Sequence, residues 1–240
     1  MSRSAVSRPG TTNHRMMTIL LCVAVLMYWI SLYIYAPTLP TYVENKVDSL
    51  SSVGIILSMY GLWQAIIRFP LGLVADWVGR RKPFVLVGLS LGALGALLLA
   101  SADSASGLLI GRAVTGLAAG TWVPLVVMFS SLFPPEDAVR ASALLTFVGG
   151  VGRILATALT GTLNNWMGYS LAFYLAAAAA VVAVLTILPA REDPQPPKAP
   201  SLGDLAHLLS RSDVLLPSLL SMIHQYANWA TTFSFVPILA

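Results

Sequence analysis

Gly72-Leu73-Val74-Ala75-Asp76-Trp77-Val78-Gly79-Arg80-Arg81-Lys82 is the stretch on which the reading of this chain turns. It joins two apolar runs through a tight turn that ends in consecutive cations. Gly72 lies one helical turn before Asp76 and leaves that face bare, so a neighbouring helix can come close. Gly79 predicts the end of the helix. Lys and Arg gather in short loops on the cytoplasmic side of a membrane, so the stretch reads as a cytoplasmic turn between two spans.

The composition agrees. Of 240 residues, 57% are hydrophobic and 10% charged, against about 25% charged in a soluble domain. The net charge of +4 does not point to nucleic acid, because the cations sit in loops between apolar runs and form no basic stripe interleaved with stacking aromatics. Cys22 is the single cysteine and lies within an apolar run, where it reads as a small packing residue without a disulfide partner. His14, His207 and His224 are too scattered for a metal site.

In chain order, residues 1–15 form a polar tail with Arg3, Arg8, Arg15 and no acid. The apolar run 16–37 exceeds the roughly 7–15-residue core of a cleavable signal, so it reads as a retained first span. Tyr33 and Tyr35, near its end, fit an interfacial belt. Tyr28 and Ser31 share a deeper face and either satisfy each other and a neighbouring helix or face a substrate. The second span, 52–74, carries Arg68; a central Arg costs roughly 2.5–3.5 kcal/mol, offset by the surrounding Ile, Leu and Phe or relieved by snorkelling. The third span, 83–100, has Gly88, Gly92 and Gly95 spaced for close helix approach. The fourth, 107–133, carries Arg112, Gly116, Gly120 and Pro124, and the fifth, 141–163, carries Gly150, Gly152 and Arg153. The sixth, 171–189, contains a run of alanines that predicts tight packing. A Pro-rich, charged linker occupies 191–213, and its part 202–211 predicts a short amphipathic helix on the membrane surface. A seventh apolar stretch fills 214–240 and is still running at Ala240, so the chain is expected to be a fragment of a longer one.

Charge and repetition both test this topology. Arg3, Arg8, Arg15, Arg80, Arg81, Lys82, Arg140, Arg191, Lys198 and Arg211 fall on the proposed inside and Lys46 alone outside, which makes the amino end cytoplasmic. Gly72-x-x-x-Asp76-Trp77-x-Gly79-x-x-x-x-Phe84 returns as Gly161-x-x-x-Asn165-Trp166-x-Gly168-x-x-x-x-Phe173. A repeat of three spans comes back inverted, which explains why the outer copy lacks the cations.

The pattern Gly72-x-x-x-Asp76-x-x-Gly79-Arg80-Arg81-Lys82, between a second and a third span, resembles the signature loop of the major facilitator superfamily of secondary transporters. The family usually has a cation directly after the Asp, where this chain has Trp77. Arg112, four residues ahead of Gly116 in the fourth span, resembles a second motif of the family, in which the Arg borders the central cavity. The resemblance implies an all-α integral membrane protein: a six-helix amino-terminal bundle of inverted 3+3 repeats over 16–190, plus part of a seventh membrane helix at 214–240.

It also implies a gating role for Gly72, Asp76, Gly79, Arg80, Arg81 and Lys82, with Asp76 and Arg80 making contacts that form in one state and break in another. Since the first, fourth and seventh spans line the family's cavity, Tyr28, Arg112, Gly116, Gln225 and Asn228 are carried over as its wall. The implied partners are a small-molecule substrate, the lipid bilayer and the missing carboxy-terminal half of the same chain, in the plasma membrane. No cofactor is implied, and a proton gradient supplies the driving force. Export of amphipathic compounds is the expected activity, with uptake of a sugar or organic anion as the alternative. A Gly-Pro pair typical of antiporters in the fifth span is absent; Ala156-Thr157 stands there.

The intramembrane charges are Arg68, Arg112 and Arg153, and no Asp or Glu lies inside the first six spans as drawn. A charge within a span is a functional hypothesis, so Arg112 and Arg153 are expected to meet backbone carbonyls, an acid in the other half or an anionic substrate. From a different class, Gly88-Leu89-Ser90-Leu91-Gly92 matches the nucleophile pattern of a serine hydrolase and would suit an intramembrane protease. That motif needs a strained turn, whereas Ser90 is expected in mid-helix. A six-span channel is the other reading of that kind, and the chain is not expected to be an enzyme.

Overall fold

The computed structural model describes residues 11–192, 203, 207 and 210–230. Its regular elements among these are all helical: α1 Thr11–Tyr33, α2 Leu39–Glu44, α3 Leu50–Val78, α4 Lys82–Ala100, α5 Ala105–Ala119, α6 Trp122–Ser130, α7 Ala138–Met167, α8 Tyr169–Ile187 and α9 Ser212–Ala230, with a short 3-10 turn at Pro135–Asp137. Six segments are long and apolar enough to cross a membrane: α1, α3, α4, α5 with α6, α7 and α8. The expected spans are therefore present, with shifted ends. The first helix starts at Thr11, inside the stretch read as tail, and α3 continues beyond residue 74, so that Asp76 stands on its last turn.

The packing has the symmetry of an inverted repeat. α1 packs on α7 and α8 as α5 packs on α3 and α4, while α4 and α8 meet each other. Swapping the first three spans for the second three maps this pattern onto itself. The two glycines that end the repeated motif, Gly79 and Gly168, are the only residues with positive φ among those described, at 71° and 70°. Each stops its helix in a backbone region that favours glycine.

Small residues set the close approaches. A Cβ on Gly88 would collide with the Thr121 side chain, and one on Gly95 would lie 2.6 Å from Thr115 Cγ2. These contacts join α4 to the fourth span. On α8, Ala176, Ala180 and Ala183 are fully buried and form part of its contact surface. With little hydrophobic drive between helices in lipid, such interdigitation is what holds spans together. α3 and α7 bury the smallest share of their residues, and α3 is exposed around most of its circumference from Gly61 to Pro70.

The fourth span is broken at Gly120-Thr121. Pro124 lacks an N–H, and the Val123 N–H bonds to Gly120 O at 3.2 Å, leaving the Ala119 carbonyl outside the helical ladder. The Tyr28 hydroxyl donates to that carbonyl at 3.0 Å. Elsewhere too, polar side chains satisfy carbonyls at helix ends. Thr160 donates to Ile34 O at 2.8 Å, and Tyr42 to Leu99 O at 2.7 Å. No water reaches these groups in a bilayer, so the protein must supply the donor.

Of the linker 191–213, the described part is limited to Arg191, Glu192, Gly203, His207 and 210–213; the amphipathic helix expected at 202–211 lies largely outside the described residues. α9 takes up the start of the seventh apolar stretch, and 231–240 lie outside them. At its start Arg211 bonds Asp213 at 2.6 Å, which holds that carboxyl below the usual range.

Candidate functional site

The basic turn is built by three elements. Gly79, with φ 71° and ψ 13°, caps α3 and donates its N–H to Ala75 O at 3.0 Å. The turn is thereby tight enough for Arg81 to reach back, and Arg81 Nη2 donates to Asp76 Oδ1 at 2.8 Å. The partner of Asp76 is Arg81 and not Arg80, which is exposed. Arg81 is the residue that enters α4, so its side chain folds over the end of α3 while Arg80 is directed away.

Glu192 completes the turn. Its Oε1 accepts the Arg81 N–H at 2.6 Å and its Oε2 the Lys82 N–H at 2.8 Å, so one carboxylate closes the amino end of α4. Lys82 Nζ donates to Leu188 O at 2.6 Å, at the far end of α8. A carboxylate suits the positive end of a helix. Glu192 was not singled out from the sequence, where it sits in a Pro-rich linker; the one available signal is an acid directly after a span that must end beside a basic turn.

Gly72 has open space. A Cβ there would meet only Val123 Cγ1, at an ordinary 3.6 Å. Its bareness is therefore not used for packing within the described helices.

Inside the bundle, Tyr28, Trp29 and Trp122 form one aromatic cluster. Tyr28 stacks on Trp122 at 5.8 Å, and Trp29 lies edge-on to Trp122 at 5.0 Å and to Tyr33 at 5.4 Å. The guanidinium of Arg153 lies 4.5 Å from the centre of the Trp29 ring. Gly149 and Gly152 make room for Trp29 on α7, since a Cβ at either would come within about 3 Å of it. Trp29 Nε1 is buried without a hydrogen-bond partner. Arg68 is exposed on α3.

Several residues expected on the cavity wall lie inside the bundle. Tyr28 is 3% exposed, holds the Ala119 carbonyl, and accepts the Ser31 hydroxyl at its own backbone oxygen at 2.9 Å. Arg112 is 6% exposed; its Nη2 faces Leu57 O at 3.4 Å and its guanidinium lies 4.6 Å from the Tyr60 ring centre, while Nε has no partner. Gly116 is a contact point, because a Cβ would lie 2.5 Å from Tyr60 O. All three are buried by this bundle, where each makes these packing contacts. Gln225 and Asn228 are exposed on α9, which makes no extensive contact with α1 to α8. The structure thus does not bring them to Tyr28 and Arg112. Trp29, Trp122 and Arg153, half-buried, are what the cluster keeps at its surface. Among the described residues no carboxylate forms a salt bridge with Arg68, Arg112 or Arg153. Ser90 lies within the continuous helix α4, without the turn a hydrolase nucleophile needs.

Six membrane helices in two inverted triplets, with a charged turn between the second and third, form a six-helix inverted-repeat bundle, an architecture found in secondary transporters. A family model described as the Major Facilitator Superfamily matches residues 21–240, and the chain belongs to that superfamily. It is similar to the inner membrane transport protein YajR of Escherichia coli, 29% identical over 160 residues, covering 66% of this chain and 35% of that protein. The class H tetracycline resistance protein of Pasteurella multocida is 30% identical over 159 residues, covering 65% of this chain and 40% of that one. Quinolone resistance protein NorA of Staphylococcus aureus is 23% identical over 172 residues, 71% of this chain and 44% of its own. Among solved structures, the human organic anion transporter MFSD10 matches at TM-score 0.67 and 19% identity, over 85% of this chain and 54% of that one. The chain therefore spans less than half the length of these curated relatives.

Proposed function

We propose that this chain is the amino-terminal half of a carrier that exports amphipathic compounds by alternating access, driven by protons moving inward down their gradient. The observation that carries the reading is the surface of the aromatic cluster. Trp29 and Trp122 offer flat apolar rings, with the Arg153 guanidinium over Trp29, and no described carboxylate neutralises that cation. A ring compound with a polar or anionic edge matches both parts. Two relatives are named for resistance to tetracycline and to quinolone, which favours the outward direction.

The turn at 72–82 supplies a gate in this reading. Exposed α3 and bare Gly72 leave room for a helix of the other half, and the Asp76–Arg81 pair stands at the edge of that contact. Alternating access then makes and breaks the contact as the halves rock. The proton-carrying carboxylate comes from outside residues 16–190, because the described spans carry acids only at their cytoplasmic-side ends, at Asp76, Glu136 and Asp137.

The test is accumulation of a fluorescent amphipathic dye in cells expressing the full-length protein. Expression is expected to lower accumulation, a protonophore to abolish the difference, and Arg153→Gln to slow export by about tenfold, as for loss of one charge-assisted contact. Increased accumulation on expression would instead support the second reading, uptake of an organic anion, which the unneutralised arginines also favour. No gradient dependence would overturn the proton coupling.

A further inference from the structure

Beside the 72–82 turn, the α4–α8 side of the bundle carries a cavity to which the transport reading gives no ligand. It lies between the start of α4 and the end of α8, has a volume of about 730 Å³, and is lined by Arg80, Lys82 and Arg191 as its cations, Glu192 as its acid, and Leu86 and Leu188 among its apolar residues. The geometry points to a binding site for the phosphate of an anionic phospholipid.

The charges are unbalanced in the required direction. Both Glu192 oxygens are occupied by the Arg81 and Lys82 backbone N–H groups, so this carboxylate is turned towards the helix end. Lys82 is held by Leu188 O. Arg80 and Arg191 are exposed and form no salt bridge among the described residues. Guanidinium groups suit a phosphate because their planar fork binds two oxygens together.

The depth is also right for a lipid. Lys82 opens α4 and Ile187 closes α8, so the cavity lies where two membrane spans end and their polar termini begin. Leu86 and Leu188 form an apolar floor below the cations, and Val87 and Leu188, 59% and 51% exposed, extend apolar surface beside it. A soluble anion would use the cations and leave this floor bare. A phospholipid uses both, its phosphate on the arginines and its acyl chains along the leucines. Basic residues next to a span attract anionic lipid in this way. The site is distinct from the aromatic cluster, since none of its lining residues belongs to that cluster.

The experiment is lipid titration of the purified full-length protein followed by native mass spectrometry. Phosphatidylglycerol, phosphatidylcholine with the same acyl chains, and soluble glycerol phosphate are the probes. Wild-type protein is expected to retain phosphatidylglycerol in preference to phosphatidylcholine. The Arg80→Gln/Arg191→Gln variant should bind it about 30-fold more weakly, about fivefold for each cation removed, while Lys46→Gln, a cation at the opposite end, should bind it as the wild type does. Equal retention of the two lipids, or an unchanged double variant, would overturn the assignment. Displacement of the lipid by equimolar glycerol phosphate would also overturn it, in favour of a soluble anion. If the double variant does not fold, Arg191→Gln alone carries the test with an expected fivefold loss.

Discussion

At the scale of single residues, the polar groups inside the spans mostly answer a backbone need. Tyr28 is the clearest instance: Pro124 and Gly120 break the fourth span, the Ala119 carbonyl loses its helical donor, and the Tyr28 hydroxyl replaces it at 3.0 Å. Tyr28→Phe keeps the ring stacked on Trp122 and removes that donor. It is expected to destabilise the bundle by about 1 kcal/mol, read as a lowered thermal midpoint in detergent. If Tyr28 served only a substrate, the midpoint would not move and transport alone would suffer. Arg112 follows the same pattern, buried against the Tyr60 ring and the Leu57 carbonyl. These roles were hard to read from the sequence because a tyrosine or arginine in an apolar run looks the same whether it faces a cavity or a broken helix. What separates the cases is the geometry of a span ninety residues away along the chain.

At the scale of helices, glycine marks two different demands. Gly116 lies against the α3 backbone, where an added Cβ would stand 2.5 Å from Tyr60 O, and backbone cannot swing aside. Gly116→Ala is therefore expected to cost about 1–3 kcal/mol through forced separation of α3 and α5. Gly72→Ala meets only Val123 at 3.6 Å and should leave the thermal midpoint within error. In the proposed gate the same substitution slows transport, because the helix of the other half needs the bare face. Comparing midpoint and transport rate for the two variants checks both claims; a large midpoint drop in Gly72→Ala would place its role inside this bundle. The spans themselves were legible because long apolar runs punctuated by Gly, Pro and charge leave few alternatives. Their ends were less so: α3 runs on to Val78, since nothing before Gly79 forces the helix to stop.

At the scale of the whole molecule, the repeated motif foretold the architecture, and its two glycines, Gly79 and Gly168, do the same backbone work at opposite ends. The loops sort accordingly. His14 bonds Leu132 O at 2.6 Å and Arg81 bonds Glu192, which places the start of α1, the turn after α6, the 79–82 turn and the end of α8 at one end. Lys46 pairs with Asp103, and Tyr42 stacks near Tyr169, at the other. We propose that the first end faces the cytoplasm, on the charge bias: Arg80, Arg81, Lys82, Arg140 and Arg191 share it, and Lys46 stands at the second. Labelling with a membrane-impermeant maleimide in a Cys22→Ser background decides it. Asp103→Cys, at a side chain that is 97% exposed, is expected to react in intact cells. Arg140→Cys, exposed on the first turn of α7, should react only after the cells are opened. The reverse pattern would put the basic turn outside, against the charge bias of its loops, and would move the proposed gate to the opposite face of the membrane.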